Sequence, residues 1–229
     1  MKTLLLIGLF IALPAVGAET GYRLDRSPHD PTDLISLQSG ARTYVNYCLG
    51  CHGMQYMRYN RMRDLGLTED QIRDNLMFTA DKVGEMMKTP LTAGQGKAWF
   101  GVPPPDLSVV ARSRGADWLY TYLRTFYRDP KTATGWNNAV FHNVAMPHAL
   151  WTLQGERALE KGKWVQLSEG ALSPSAYDAT TRDLVNFLVY VGEPSALARK
   201  SWGIIVLFAL GVLFILTYLL KKAYWKDVK

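Results

Sequence analysis

Cysteine is almost missing from this chain: its 229 residues include two, Cys48 and Cys51, three positions apart. A pair this close leaves no cysteine elsewhere to staple, which excludes a multi-bridge disulfide scaffold. Histidine is nearly as scarce, with four in all, and His29, His142 and His148 lack the paired spacing of a zinc site. Internal repeats and low-complexity tracts are absent, which excludes a solenoid or a disordered chain. Sustained apolar–polar alternation is missing too, which argues against a large sheet. Charge of one sign is lacking once the ends are set aside. The formal charge is +6, yet without Lys2, the four tail lysines and Asp227 there remain 21 basic against 19 acidic residues. A near-neutral body argues against nucleic acid as a partner.

Long hydrophobic runs occur only at the two ends. Lys2 precedes "LLLIGLFIAL", Pro14 and the small-residue tail "AVGA". A basic start, an apolar core too short to span and small residues at Val16-Gly17-Ala18 predict a secretory signal peptide cut after Ala18. At the other end no charge interrupts Trp202 to Leu220. At about 1.5 Å per residue such a helix covers about 28 Å, enough to cross a hydrocarbon core. Arg199 and Lys200 precede it, Lys221, Lys222, Lys226 and Lys229 follow it, and Trp202, Tyr218, Tyr224 and Trp225 stand near the two interfaces. The expected organisation is a signal peptide over 1–18, an exported domain over 19–200, a transmembrane anchor over 201–220 and a cytoplasmic tail over 221–229. It places a single-pass protein in the bacterial inner membrane, with its domain on the periplasmic side.

Helical signals dominate the exported domain. Leu34, Leu37, Ala41, Val45 and Cys48 share one face, with Asp33 as N-cap. Thr68 and Gln71 form a capping box, with Leu67 and Ile72 as its staple. Trp118, Leu119, Tyr122, Leu123 and Phe126 make a second stripe that stops before Pro130, and Leu184, Phe187, Leu188 and Val191 a third that ends at Gly192 and Pro194. Residues 89–114 and 130–180 read as irregular. The predicted fold is a small all-α domain with long loops, and loops of that length imply a large apolar ligand to organise them.

The stretch "NYCLGCHGM" names that ligand. In an exported domain Cys-x-x-Cys is a redox disulfide, half a zinc site or a haem attachment. Zinc lacks further ligands, and the βαβ pattern of a thioredoxin-like site is absent. On a helix, positions i, i+3 and i+4 share a face, so Cys48 and Cys51 can reach the two vinyl groups of one porphyrin while His52 falls under the iron. The distal ligand stays open among Met77, Met86, Met87, Met146, His29, His142 and His148. Met146 has the lead, because Pro147 holds it on a stiff, non-helical segment. Methionine opposite histidine favours electron transfer and raises the potential.

The ordered segments "YCLGCHGMQYMRYNR", "PPPDLSVVARSRGADWLYTYL" and "NVAMPHALW", followed by "GEPS" and one terminal anchor, resemble the cytochrome c1 family over nearly the whole mature chain. The resemblance implies a class I cytochrome c core with inserted loops and one covalent haem c, in quinol–cytochrome c oxidoreductase, respiratory complex III. It implies an electron-transfer subunit rather than a stand-alone catalyst, beside cytochrome b, taking electrons from the Rieske iron–sulfur protein and passing them to a soluble cytochrome c. By the same resemblance Cys48 and Cys51 match the thioether positions, His52 the proximal and Met146 the distal ligand. Pro104 and Pro105 match prolines lining the haem, and Arg112 an arginine meeting a propionate. Two departures stand out. His148 after Pro147 keeps a histidine near the iron, and the segment before Pro103 is short beside mitochondrial relatives. Competing readings are a monohaem subunit of a terminal oxidase, a peroxidase-like haem enzyme and a structural Cys-x-x-Cys protein.

Overall fold

The computed structural model of the protein describes residues 21–227; the signal peptide expected over 1–18 lies outside them. Asp33 opens the first helix as its sequence position predicts, its carboxylate accepting the Ser36 N–H at 3.1 Å, and α1 runs over Leu34–Tyr47. Leu37, Ala41 and Val45 are buried on its inner face together with Tyr44, whereas Leu34 in the first turn is exposed. Then follow β1 (Met54–Arg58), a 3₁₀ segment (Tyr59–Leu65), α2 (Glu69–Leu76) and β2 (Met86–Met87), which pairs antiparallel with β1. Both halves of the capping box before α2 are made: Thr68 accepts the Gln71 N–H at 3.2 Å and Gln71 accepts the Thr68 N–H at 2.9 Å.

The next stretch holds α3 (Ala93–Phe100), α4 (Val110–Arg114), α5 (Ala116–Arg124), and the antiparallel pair β3 (Phe126–Arg128) and β4 (Trp136–Asn138). After α6 (Trp151–Gln154) comes the hairpin of β5 (Gly155–Glu160) and β6 (Lys163–Glu169), then α7 (Pro174–Gly192) and α8 (Ala196–Tyr224). The helical core agrees with the sequence reading; the two segments read as irregular do not stay so. Thr92 and Gln95 form a second capping box that starts α3. Lys161 and Gly162, both at positive φ (49° and 79°), make the two-residue turn whose twist suits the β5–β6 hairpin. Ser173 caps α7 with Pro174 in its first turn. These elements announce themselves by caps and turns rather than by hydrophobic periodicity, which is why a period-based reading passes over them.

The core is the crossing of α1 with α7. Each large apolar side chain buried there, such as Leu37, Leu184 and Phe187, contributes about 1.5–3 kcal/mol. Gly40 brings the two backbones together: a Cβ there would stand 2.1 Å from the Asp183 carbonyl oxygen and 2.6 Å from Phe187 Cβ. A buried polar clasp fixes the rotation, with the Ser36 hydroxyl donating to Asp183 at 2.7 Å and Asn186 Nδ2 to the Asp30 carbonyl at 2.6 Å. α5 packs on the other side of α7. α8 differs in kind. It starts five residues before the expected anchor, because Arg199 and Lys200 belong to its first turns, and none of its 29 residues is buried.

Candidate haem-binding site

α1 ends at Tyr47, so Cys48, Cys51 and His52 do not lie on the helix that their spacing suggested. The Cys48 carbonyl instead accepts both the Cys51 N–H at 3.0 Å and the His52 N–H at 2.8 Å, which closes one tight turn after the helix. The turn preserves the i, i+3, i+4 neighbourhood, and all three side chains line one cavity. Both thiols are free and half-buried. Burial, with Cys51 adding to it, pushes the Cys48 thiol up to about 12, and burial also raises Cys51. Redox Cys-x-x-Cys sites rely on the opposite, a lowered thiol pKa. Among the described residues no three His, Cys, Asp or Glu side chains gather into a zinc-like cluster.

His52 is buried, and its Nδ1 lies 2.7 Å from the Pro105 carbonyl. A carbonyl only accepts, so Nδ1 carries the proton and Nε2 keeps a free lone pair. Burial lowers the imidazole pKa, against the raising effect of that bond and of Asp106, so the ring is held neutral. The proline run is itself clamped. Asp106 accepts the N–H groups of Gln55 and Ser108, each at 2.8 Å, and the Leu107 N–H reaches the Gly53 carbonyl at 2.9 Å. From the other side α3 presses on it through Gly96, where a Cβ would meet Pro104 Cδ at 2.6 Å. The Pro-Asp-Leu-Ser motif is thus the brace that aims the Pro105 carbonyl at His52.

Two adjoining cavities of about 110 and about 250 Å³ meet at this brace, sharing Cys48, His52, Val102, Pro105, Ala145 and Met146 in their walls. Pro104 lines the smaller one. Met146 is the one methionine in either wall, and the Tyr122 hydroxyl donates to its sulfur at 3.4 Å. Met87 is buried elsewhere in the core, Met77 packs against that core, and Met86 pairs with Arg58 in the β1–β2 ladder. His29 bonds Ser27, and His142 is exposed.

Two expectations are corrected here. His148 turns away from the cavities: its ring stacks on Phe126 at 4.8 Å and bonds Gln154 at 2.8 Å, and burial pushes its pKa down to about 3. Arg112 points to solvent, 3.8 Å from Glu193. Arg114 lines the larger cavity instead, its guanidinium 5.1 Å from the Trp118 ring centre. Residues two apart on α4 project about 200° from each other, so only one of the two arginines can face inward. The signal for Arg114 was in the same "ARSRG" string, but loop-to-helix phase is not readable from it. Its place in an apolar stripe marks Tyr122 as core, and nothing in its spacing marks its hydroxyl.

The donor set fits a haem: two free thiols, a neutral imidazole with Nε2 unengaged, and a thioether, all lining the smaller apolar cavity. Residues 26–228 match the profile of the Cytochrome C1 family. The chain is 50% identical over 232 residues to the Nitrosomonas europaea protein named ammonia monooxygenase gamma subunit, covering all of this chain and 99% of that protein. It is 46% identical to cytochrome c1 of Allochromatium vinosum over the whole of both chains. To cytochrome c1 of Rhodospirillum rubrum it is 29% identical, over 86% of this chain and 83% of that one. A family match over residues 26–228, together with relatives that align along the whole chain, has one conclusion: the chain belongs to the cytochrome c1 family.

Proposed function

We propose that Cys48 and Cys51 would hold the haem as thioethers and that His52 and Met146 would ligate its iron. We further propose that this domain hands electrons from the Rieske iron–sulfur protein to a soluble cytochrome c while standing beside cytochrome b. Family membership supplies the frame: a membrane-anchored electron-transfer subunit of complex III with one covalent haem c. A bound haem supplies a one-electron ferric–ferrous couple. The chain does the rest. The Pro105 carbonyl orients His52 and raises its basicity. Val102, Pro104 and Ala145 would exclude water from the cavity, and Arg114 would offer a cation to a haem carboxylate in place of Arg112.

The observation that carries the reading is the convergence of His52, both thiols and Met146 on one apolar wall. Replacing both cysteines with serine tests it directly. No haem is then expected on the denatured polypeptide by haem staining, and haem retained there would refute the attachment. Met146→Leu is expected to give a high-spin spectrum and carbon monoxide binding; an unchanged spectrum would assign the sixth position elsewhere. The partners are tested by purifying the native membrane complex and identifying what co-migrates. The N. europaea relative is named for an oxygenase, but that protein aligns over the same full length as the A. vinosum cytochrome c1. Oxygen chemistry needs an open coordination position, so a wild-type ferrous protein that ignores carbon monoxide would dispose of that reading.

We propose the same orientation as the ends of the chain suggest: α8 in the membrane, the haem domain on the periplasmic side and the lysine-rich end in the cytoplasm.

A further inference from the structure

We infer that Tyr122 is a positioning residue for the redox centre, its hydroxyl setting the potential by hydrogen bonding to the Met146 thioether. This rests on Met146 being the sixth ligand. The Tyr122 oxygen lies 3.4 Å from Met146 Sδ, within bonding range for a sulfur acceptor. The phenol ring is packed on two sides: it stacks on Trp118 at 4.7 Å and 11°, and Phe126 packs edge-on at 5.0 Å. The backbone is held as well, since the Tyr122 carbonyl accepts Asn138 Nδ2 at 2.7 Å.

A thioether sulfur has two lone pairs, so one can serve a metal while the other accepts from Tyr122. A donor on that second pair draws electron density from the sulfur. Donation to ferric iron suffers more than donation to ferrous iron, because the higher charge relies on it more. The hydrogen bond therefore favours the reduced state and raises the potential, a tuning from outside the ligand set.

The test uses the full-length haem-loaded protein in membranes, read by its optical spectrum and an equilibrium redox titration. The long-wavelength charge-transfer band from methionine to ferric iron reports ligation by itself. Its absence from the wild-type protein would overturn the ligand assignment and this inference together. With the band present, Tyr122→Phe keeps the stacked ring and removes the donor. The reduced-to-oxidised ratio at fixed ambient potential is expected to fall about three- to tenfold, tenfold being about 59 mV for one electron. 3-Fluorotyrosine at position 122, a near-isostere with a stronger donor, is expected to shift the potential the other way. It also keeps the test open should the phenylalanine variant fail to fold. A potential unmoved by either change, with the charge-transfer band intact, overturns the inference. A shift seen only with Tyr122→Leu, which also loses the ring stack, would likewise overturn it in favour of packing alone.

Discussion

The two arginines of α4 give the sharpest contrast available at the scale of single residues. Arg112 is largely exposed and its distance to Glu193 is 3.8 Å, an ion pair of the kind that contributes about 0–1 kcal/mol. Arg114 stands in the cavity wall over Trp118 and near Phe141. Arg114→Gln is therefore expected to shift the midpoint potential in a redox titration, while Arg112→Gln leaves it within error. Equal effects from the two would contradict the assignment of the cavity to Arg114. The histidines make a similar contrast. His148→Phe keeps a planar ring against Phe126 and gives up only the Gln154 bond, so the spectrum of the bound haem should not change. A changed axial signature would return His148 to the list of ligands.

Among elements, the α1–α7 crossing carries the site, because α1 delivers the Cys48–His52 turn and α7 supplies Leu184 and Leu188 to the larger cavity. Gly40 is the point of closest approach. Gly40→Ala forces the helices apart or strains them, a change expected to cost about 1–3 kcal/mol or more in thermal unfolding of the haem-loaded protein. Gly94→Ala makes the control: it lies in α3 with open space around its would-be Cβ, and should be neutral or slightly stabilising. The Pro103–Pro105 brace is a second element-scale device. Asp106→Asn would leave the two backbone N–H donors with a weaker acceptor and loosen the carbonyl that orients His52.

The whole molecule divides into a packed domain and an unpacked helix. Because none of α8 is buried, cutting the chain after Pro194 removes nothing from the core, and a soluble domain that still attaches haem is expected. Its reduction by quinol in membranes should slow, since the donor no longer finds it at high local concentration. Full turnover with the detached domain at ordinary abundance would remove the anchor's role. Protease added at the cytoplasmic face should trim only residues after Leu220; loss of the haem domain to it would reverse the proposed topology. Charge acts at this scale as well. Of the acidic side chains Asp64, Glu69, Asp70 and Asp74, the first three are paired with Arg61, Arg63 or Arg73, so this mixed stretch carries little net negative charge. The rate of electron delivery to a basic soluble cytochrome is expected to vary less than about tenfold with ionic strength, measured by stopped flow.

What the sequence determined alone were the features written in near neighbours and in composition. The Cys48–Cys51–His52 triplet, the caps at Asp33 and Thr68, the three apolar helix faces and the charge-free Trp202–Leu220 run all depend on residues a few positions apart, where backbone geometry leaves little choice. The capping box at Thr92 and the Ser173-Pro174 start of α7 were equally local and equally legible, but only to a reading that weighs caps as well as periodicity. Tertiary structure decided what crosses long stretches of chain. The Pro105 carbonyl meets His52 from 53 residues away, the Tyr122 hydroxyl meets Met146 from 24 away, Arg114 rather than Arg112 faces the cavity, and His148 turns from it toward Phe126 and Gln154. The reason is geometric: sequence spacing sets which side chains share a turn, whereas the direction a loop side chain takes is set by the packing of α1, α5 and α7 around it.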